Sequence, residues 1–331
     1  VLADPDTANA WTQLVLLEGG AELIAGQDPV LLPKACKNTV EISGARSAHE
    51  RDGVAETRFL AWLDREVAGG RLHDEATLAE RLGAFRAETA LFHEPSFDTI
   101  SAAGPNGAMC HYNHLNGQPA PLTMNSLYLV DSGGQYSDGT TDITRTVAIG
   151  EPTAEMRELF TLVLKGHIAL ATAVFPPGTT GTHLDALARQ FLWCRGLDYD
   201  HGTGHGVGAF LSVHEGPQRI AKAWNATALA PGMIVSNEPG YYRDGDFGIR
   251  CENLCVVTPW RDEGRPGAQP MLAFETITLA PFDRRLIDSS LLDAKELAWL
   301  NTYHRRVYET LSPALGDEDR RWLEAATAVL V

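Results

Sequence analysis

The sequence predicts an α+β fold in which helices and short strands alternate twice along the chain. Two segments with helical apolar spacing precede short, turn-rich strands that begin after residue 95. The same order returns between residues 153 and 280. This order indicates two related halves, although no sequence repeat accompanies it.

Residues 1–37 are predicted to be the remnant of a preceding domain or a linker, and residues 38–331 a separate domain with a helical tail. Prolines interrupt regular structure before residue 38. The chain has no initiator Met, which indicates a longer parent chain. No basic region followed by an apolar one is seen at the start, so no signal peptide is expected.

The first helical pair is predicted from its caps. Asn38 followed by Glu41 is a typical helix start, and this helix is expected to end at the glycine pair 69–70. A second helix is expected from Asp74 to about Thr89. The runs LYLVD and TTDITRTVAI then flank GGQYSDG, a pattern typical of a hairpin.

The second half is predicted in the same way. Thr153 caps a long amphipathic helix that residues 176–178 (PPG) are expected to stop. Another helix opens at Thr182, and strands fill residues 198–280. The tail is predicted to be helical, with Asp288 or Ser290 as its cap.

Composition excludes several classes of protein. With 27 Lys and Arg against 43 Asp and Glu, the formal net charge is −16, which argues against a nucleic-acid partner. No apolar run approaches the ~20 residues of a membrane helix, so no membrane partner is expected. The odd number of scattered cysteines predicts reduced thiols and a cytoplasmic location. They are Cys36, Cys110, Cys194, Cys251 and Cys255.

Two aspartates belong to the predicted hairpin. Asp131 and Asp142 stand at the inner ends of its strands, where facing side chains lie ~5 Å apart. Alone, Asp131 is better explained as an ordinary turn residue. Asp142 interrupts a β-branched run, where a carboxylate is disfavoured. Because facing side chains of adjacent strands lie so close together, both carboxylates could reach one cation.

A glycine-rich segment carries two histidines, His201 and His205, in HGTGHGVG. A phosphate-binding loop is the rival interpretation, but neither a Lys-Ser/Thr pair nor a strand–loop–helix context follows. Imidazoles held at a metal or a polar substrate fit better. His214, in VHEGP, raises the same possibility, and each histidine taken singly could be structural.

Two glutamates lie in apolar surroundings. Glu238 precedes a Pro-Gly turn, and Glu252 lies in what reads as a buried strand. A carboxylate there is costly unless it is paired or bound to a metal. Arg250, two residues from Glu252, falls on the same strand face and could be only its salt-bridge partner.

Together these residues predict a metal centre better than any of them alone. Hard carboxylates with one imidazole suit Mn²⁺, Co²⁺, Fe²⁺ or Zn²⁺. Four carboxylates exceed the need of one divalent ion, so two ions ~3.5–4 Å apart are expected, with a bridging water acidified towards hydroxide. The predicted ligands are Asp131, Asp142, His205, Glu238 and Glu252.

Motifs covering roughly residues 38–310 resemble the aminopeptidase P family, within the creatinase/prolidase/methionine aminopeptidase superfamily. The tail, with FETITLAPFDRRLID, is similar to the long, three-domain type, whose C-terminal catalytic domain this chain resembles. The resemblance implies the pita-bread fold, a curved, mostly antiparallel sheet with outer helices and pseudo-twofold halves. The motifs are LYLVDSGGQYSDGTTDITRTV, HGTGHGVGAFLSVHEGP, SNEPGYY and GIRCENL.

The resemblance also implies roles for the ligands. Asp131 would bind one ion, and Asp142 and Glu252 would bridge both. His205 and Glu238 would complete the second ion, with Glu238 as proton shuttle. Mn²⁺ is the first expectation for the metal.

Three histidines and an arginine would serve the substrate. The resemblance places His111, in CHYN, and His214 near the substrate and the tetrahedral intermediate. His201 and Arg250 would position the substrate.

The implied activity is release of the first residue from peptides with proline in second position, by a homodimer. Three alternatives remain: a prolidase acting on Xaa-Pro dipeptides, a creatinase-type enzyme without metal, and a non-catalytic binding module. The intact ligand set argues against the last two.

Overall fold

The computed structural model describes residues 1–5, 7–260, 267 and 269–331. Its helices are α1 (Ala10–Glu18), α2 (Leu31–Ala35), α3 (Thr39–Ala68), α4 (Glu75–Arg86), α5 (Ala154–Ala171), α6 (Gly181–Trp193), α7 (Ala294–Leu311) and α8 (Asp317–Ala326). Its strands are β1 (Leu2–Ala3), β2 (Ile24–Ala25), β3 (Phe92–Pro95), β4 (Ile100–Ala103), β5 (Ser126–Ser132), β6 (Gly134–Tyr136), β7 (Gly139–Thr140), β8 (Ile143–Ile149), β9 (Val174–Phe175), β10 (Gly204–His205), β11 (Arg219–Ile220), β12 (Ile234–Asn237), β13 (Gly240–Arg243), β14 (Phe247–Arg250), β15 (Asn253–Trp260) and β16 (Met271–Thr276).

The order predicted for the two halves is confirmed. Helices α3 and α4 precede an antiparallel sheet with strand order β4-β5-β8. Helices α5 and α6 accompany a second antiparallel sheet with order β12-β15-β16-β9. The halves meet where the Arg250 backbone N–H donates to Thr146 Oγ1 (3.0 Å) and the Glu252 N–H to the Thr144 carbonyl (3.3 Å).

The predicted hairpin exists, but its connection is longer than a tight turn. Strands β5 and β8 pair from Ser126↔Ile149 to Ser132↔Ile143. Between them β6 and β7 pair with each other, and β6 also pairs with β3. Asp142 therefore lies between β7 and β8, and not within a strand.

Helix starts follow the local caps in the first half. The Asn38 side chain accepts from the backbone N–H of Val40 and Glu41, and Glu41 accepts from the Asn38 N–H, which completes a capping box. Asp74 caps α4 as predicted, but α4 ends at Arg86 and not near Thr89. The chain there tightens into i→i−3 hydrogen bonds, from Thr89 N to Arg86 O at 3.4 Å.

In the second half, two predicted boundaries are wrong. Helix α5 ends at Ala171, before the prolines, because residues 174–175 form β9 and pair with β16. Helix α6 is capped by Thr180 and not by Thr182.

The predicted cap of the tail is also wrong. Helix α7 is capped by Asp293, which accepts from the N–H groups of Lys295 and Glu296. Asp288 caps only the 3₁₀ turn Ser289–Leu291.

A buried arginine of the first half joins the two halves next to the site. Arg145 on β8 is fully buried. Its guanidinium donates to the Glu252 carbonyl (2.5 Å), to Asn253 Oδ1 (2.8 Å) and to the Ala280 carbonyl (2.8 Å). Glu252 directly precedes β15, Asn253 begins it and Ala280 follows β16. These hydrogen bonds from Arg145 therefore fix the backbone that carries Glu252.

Residues 1–37 contact the remainder of the chain through their last few residues. Helix α1 buries none of its residues, and the Trp11 side chain is 71% exposed. Ala35 is buried, and Lys37 Nζ donates to Glu215 Oε1 at 2.7 Å. The domain boundary at residue 38 stays a prediction. None of the described helices is both long and apolar enough to span a membrane.

Candidate metal centre

One cavity of about 670 Å³ contains all nine residues predicted for the site. It opens between the two halves, since strands of both contribute to its wall. The predicted metal ligands in it are Asp131, Asp142, His205, Glu238 and Glu252, and the predicted substrate residues are His111, His201, His214 and Arg250. The structure thus brings together side chains more than 100 positions apart, such as Asp131 and Glu252.

Three of these side chains are near enough to share one ion. Ligand atoms of Asp142, His205 and Glu252 all lie within 4.8 Å of one another. His205 Nε2 is 3.5 Å from Asp142 Oδ2 and 3.3 Å from Glu238 Oε1. Three of the five predicted ligands therefore lie within reach of one ion, and a fourth, Glu238, contacts the same His205 imidazole.

Asp131, the fifth, is the next-to-last residue of β5 and is held on one side by an arginine. Arg250 Nη2 donates to Asp131 Oδ2 at 2.6 Å, so Arg250 pairs with Asp131 and not, as the sequence suggested, with Glu252. The chain leaves strand β14 at Arg250, which takes Glu252 out of that strand face. Asp131 Oδ1 is buried without a hydrogen-bond partner among the described residues. A buried acceptor without a donor is what a cation would satisfy.

Hydroxyl groups orient the two glutamates. Thr144 Oγ1 donates to Glu252 Oε2 at 2.7 Å, and Ser236 Oγ donates to Glu238 Oε1 at 3.0 Å. The Glu238 backbone N–H donates to the Thr203 carbonyl at 2.8 Å. These contacts fix both carboxylates before any ligand binds.

The tautomer of His205 suits metal binding. Its Nδ1 lies 3.0 Å from the Gly206 carbonyl, which can only accept a hydrogen bond. The neutral imidazole therefore carries its proton on Nδ1 and turns the Nε2 lone pair towards the carboxylates. Such an Nδ1–H contact to a carbonyl is usual for metal-binding histidines.

The carboxylates of this cluster are buried close to one another, so they do not all ionise unless a cation is present. Burial and the Asp131 charge raise the pKa of Asp142 to about 7, although His205 opposes this. Burial, followed by the Asp142 and Asp131 charges, raises the pKa of Glu252 well above its usual range. Burial also raises the pKa of Glu238. The missing positive charge fits divalent cations, so the residues present suit a metal centre.

The pKa of His205 moves in the opposite direction from that of a histidine that is merely buried. Burial lowers it, but the hydrogen bond to Asp142 and the charges of Glu238 and Asp142 outweigh burial and raise it to about 9. The imidazole therefore serves as the cluster's own cation. A metal ion would displace this proton.

The predicted substrate residues line the wall around the ligands. His201 Nε2 lies 2.8 Å from Tyr242 Oη, and burial with the Arg250 charge lowers the His201 pKa to about 3. The His214 ring stands nearly perpendicular to that of His205, with 4.2 Å between centroids. His111 is exposed at the rim.

Three polar residues that organise the site were not predicted from the sequence. Tyr242 Oη accepts from Arg250 Nη1 at 2.6 Å and so links Arg250 to His201. Thr144 and Ser236 hold the glutamates. Tyr242 lies inside the motif SNEPGYY, but its sequence context does not distinguish it from Tyr241.

The sequence pattern described as metallopeptidase family M24 matches residues 43–259. The chain belongs to metallopeptidase family M24. The pattern of the C-terminal region of peptidase M24 matches residues 270–330 of this M24 chain.

Curated relatives of this M24 chain share nearly half of its residues. The chain is 48% identical over 320 residues to the probable Xaa-Pro aminopeptidase P of Botryotinia fuckeliana, covering 95% of the chain and 49% of the relative. It is 49% identical over 301 residues to that of Laccaria bicolor, covering 90% of the chain and 47% of the relative. The M24 chain spans about half the length of these relatives.

Solved structures confirm the predicted pita-bread fold. The X-prolyl aminopeptidase from Caenorhabditis elegans, described as a cytosolic enzyme with a di-nuclear active site, matches at a TM-score of 0.89 and 39% identity over 93% of this M24 chain and 51% of that chain. The Xaa-Pro dipeptidase from Bacillus anthracis matches at a TM-score of 0.70 and 27% identity over 85% of this chain and 73% of that chain. The resemblance to aminopeptidase P is also confirmed.

Proposed function

We propose that this M24 domain is the catalytic domain of a dinuclear-metal aminopeptidase that releases the first residue from peptides with proline second. One observation carries the proposal: four carboxylates and one imidazole converge in a single cavity. The names of the curated relatives support the substrate class. An Xaa-Pro bond lacks an N–H and is followed by a rigid ring, so it needs a dedicated site.

We assign Asp131 to one ion, Asp142 and Glu252 to both, and His205 with Glu238 to the second. The unpartnered Oδ1 of Asp131 and the free Nε2 of neutral His205 support this assignment. When bound, two divalent ions polarise a carbonyl and lower the pKa of a bound water. Because most donors are carboxylate oxygens, we put Mn²⁺ first, with Zn²⁺, Co²⁺ and Fe²⁺ as alternatives.

Glu238 is the proposed proton shuttle. Its carboxylate accepts a proton from the attacking water and delivers it to the proline nitrogen of the leaving peptide. The Ser236 hydroxyl keeps the carboxylate in place.

His214 and His111 are the proposed donors to the scissile carbonyl oxygen as it gains negative charge. Removal of such a donor typically costs ~3 kcal/mol of transition-state stabilisation. His201 and Arg250, joined through Tyr242, would form the wall against which the substrate is positioned. Arg250 also holds Asp131.

We also propose that the protein works in the cytoplasm as a homodimer, with residues 1–37 as the end of a preceding domain. The description of the C. elegans enzyme as cytosolic supports the location. Exposed apolar side chains of Trp11, Leu14 and Ile24 support a covering domain. The homodimer rests on the family resemblance alone, and sedimentation would test it.

The test is hydrolysis of Xaa-Pro-Yaa tripeptides, Xaa-Pro dipeptides and Xaa-Ala-Yaa tripeptides in the presence of Mn²⁺. We expect release of the first residue from Xaa-Pro-Yaa only, and its loss with a chelator. The similarity to the Bacillus anthracis dipeptidase supports prolidase as second candidate. Cleavage of dipeptides alone would establish prolidase, and bound metal without any hydrolysis would indicate a binding module.

A further inference from the structure

The loop of residues 206–218, between β10 and β11, carries His214. In the part of the chain that the structure describes, the His214 imidazole forms no hydrogen bond, and its ring packs edge-on against the ring of His205. The backbone at Leu211 and Ser212 has positive φ angles of 60° and 52°, which residues other than glycine rarely adopt. The position of the imidazole therefore depends on the contacts that hold this loop.

Glu215, the residue after His214, anchors the loop through both its side chain and its backbone. Its carboxylate accepts a hydrogen bond from Lys37 Nζ at 2.7 Å, and the side chains of Glu215 and Lys37 are only 7% and 0% exposed. Its backbone N–H donates to the Gly206 carbonyl at 2.8 Å. The same carbonyl lies 3.0 Å from Nδ1 of His205. Glu215 thus connects the backbone that carries His214 both to a predicted metal ligand and to Lys37.

Lys37 is itself held firmly by its backbone. Its N–H donates to the Gly232 carbonyl at 2.9 Å, and the preceding residue, Cys36, forms an isolated β-bridge with Met233. Gly232 has a φ of 89°, and a Cβ there would lie 2.5 Å from the Lys37 carbonyl oxygen, so this close approach requires a glycine. Lys37 therefore presents a cation in a fixed place beside the loop, from the segment that precedes the predicted catalytic domain.

Stability alone does not account for this buried ion pair. Removing two charges from water costs about as much as their attraction returns, and an apolar pair of similar volume is often equally stable. A hydrogen-bonded pair, in contrast, selects one arrangement of the chain around it. We infer that Lys37 and Glu215 are positioning residues that hold the 206–218 loop so that His214 faces the metal ligands. The inference rests on the proposed function, in which His214 donates to the developing oxyanion.

The experiment replaces both residues in Lys37→Met/Glu215→Met, the pair variant, and measures kcat and KM on an Xaa-Pro-Yaa peptide with Mn²⁺. We expect kcat to fall about tenfold, which is less than the loss of a whole oxyanion donor. KM should stay near that of wild type, because the donor acts in the transition state. Urea unfolding should give a free energy close to that of wild type, since no buried charge is left unpaired.

Lys34→Met is the matched control. Lys34 Nζ lies 3.1 Å from the same Glu215 carboxylate, but the Lys34 side chain is 58% exposed. Solvent screens such an ion pair, so this variant should keep wild-type kcat. Should the pair variant fail to fold, Glu215→Gln, which keeps the shape of the side chain and one accepting oxygen, takes its place in every comparison.

A general distortion of the fold would lower kcat by the same factor in any background, so the decisive comparison is made in His214→Ala. There the pair replacement should cause no further loss of kcat, because the loop no longer carries a donor. An equal fold-loss in both backgrounds, or wild-type kcat in the folded pair variant, would overturn the inference and leave the proposed function intact.

If wild type cleaves no peptide, the proposed function fails and an NMR measurement decides the inference. The Cε1–H resonance of His214, assigned by its absence in His214→Ala and recorded without Mn²⁺, reports the surroundings of the imidazole. A resonance that moves in the pair variant but not in Lys34→Met would support the inference. A resonance that stays in place in the pair variant, or moves equally in Lys34→Met, would overturn it.

Discussion

At the scale of single residues, Glu238 has two proposed tasks, metal ligation and proton transfer. Replacing Glu238 with Gln keeps its size and one donor oxygen but removes the proton acceptor. We predict that kcat on an Xaa-Pro-Yaa peptide falls by about 10²–10⁴-fold. Glu275→Gln, which breaks a surface ion pair with Arg46, is the control and should retain wild-type kcat. Unchanged turnover in Glu238→Gln would refute the shuttle role.

The buried imidazole of His304, which lies outside the cavity, makes the stability of the fold depend on pH. It is fully buried, its Nε2 accepts from the Phe282 N–H at 3.1 Å, and burial with the Arg145 charge lowers its pKa to about 3. The unfolded chain binds this proton below about pH 6.5 and the folded chain does not. Stability from this group is therefore present above pH 6.5 and is lost as pH falls towards 3.

We predict that His304→Gln flattens this dependence. Between pH 6 and 4 the free energy of unfolding of wild type should fall more steeply than that of the variant, by up to about 1.4 kcal/mol per pH unit. Urea unfolding at several pH values measures both. Burial raises the pKa of Glu56 to about 7 and so acts in the opposite sense, but it is common to both proteins. Parallel curves would show that His304 contributes nothing.

The residue types in the sequence predicted the chemistry of the site better than they predicted which of its side chains contact one another. Asp142 and Glu252 could be singled out because a carboxylate among apolar residues needs a counter-charge. The partner of Arg250 could not be predicted. Arg250 binds Asp131, which lies 119 positions away, and spacing along one strand contains no information about so distant a residue. Tyr242 was missed for the same reason.

At the scale of elements, local sequence signals predicted where helices begin better than where they end. The capping box at Asn38 uses groups within three residues, so the sequence contains all of it. The end of α5 was misplaced because pairing of β9 with β16, about 100 residues away, takes the chain out of the helix before the prolines. In the tail, several acidic or hydroxyl residues could cap α7. Asp293 is the cap because Glu296, three residues on, completes a capping box with it, whereas Asp288 caps only a 3₁₀ turn.

Close packing of α5 on α6 yields a prediction with an internal control. A Cβ at Gly166 on α5 would overlap the backbone carbonyl of Ala188 on α6, whereas a Cβ at Gly83 on α4 meets nothing. We predict that Gly166→Ala lowers the free energy of unfolding by about 1–3 kcal/mol. Gly83→Ala should raise it by about 0.5–1 kcal/mol. Denaturant unfolding of both variants measures this, and equal signs would contradict the packing argument.

At the scale of the whole molecule, the site exists only because the two halves meet. Asp131 and Asp142 come from the first half, and His205, Glu238 and Glu252 from the second. Periodicity along the sequence predicted the halves but contains no information on how their sheets face each other. The family resemblance supplied that arrangement.

The most direct test of the account is the number and position of divalent ions in the protein. Elemental analysis of gently purified protein supplied with Mn²⁺, together with anomalous scattering from its crystals, measures both. The account predicts two ions per chain, with Asp142 and Glu252 between them, and loss of at least one ion in Glu252→Gln. No bound ion after Mn²⁺ addition, or ions only outside this cavity, would contradict it.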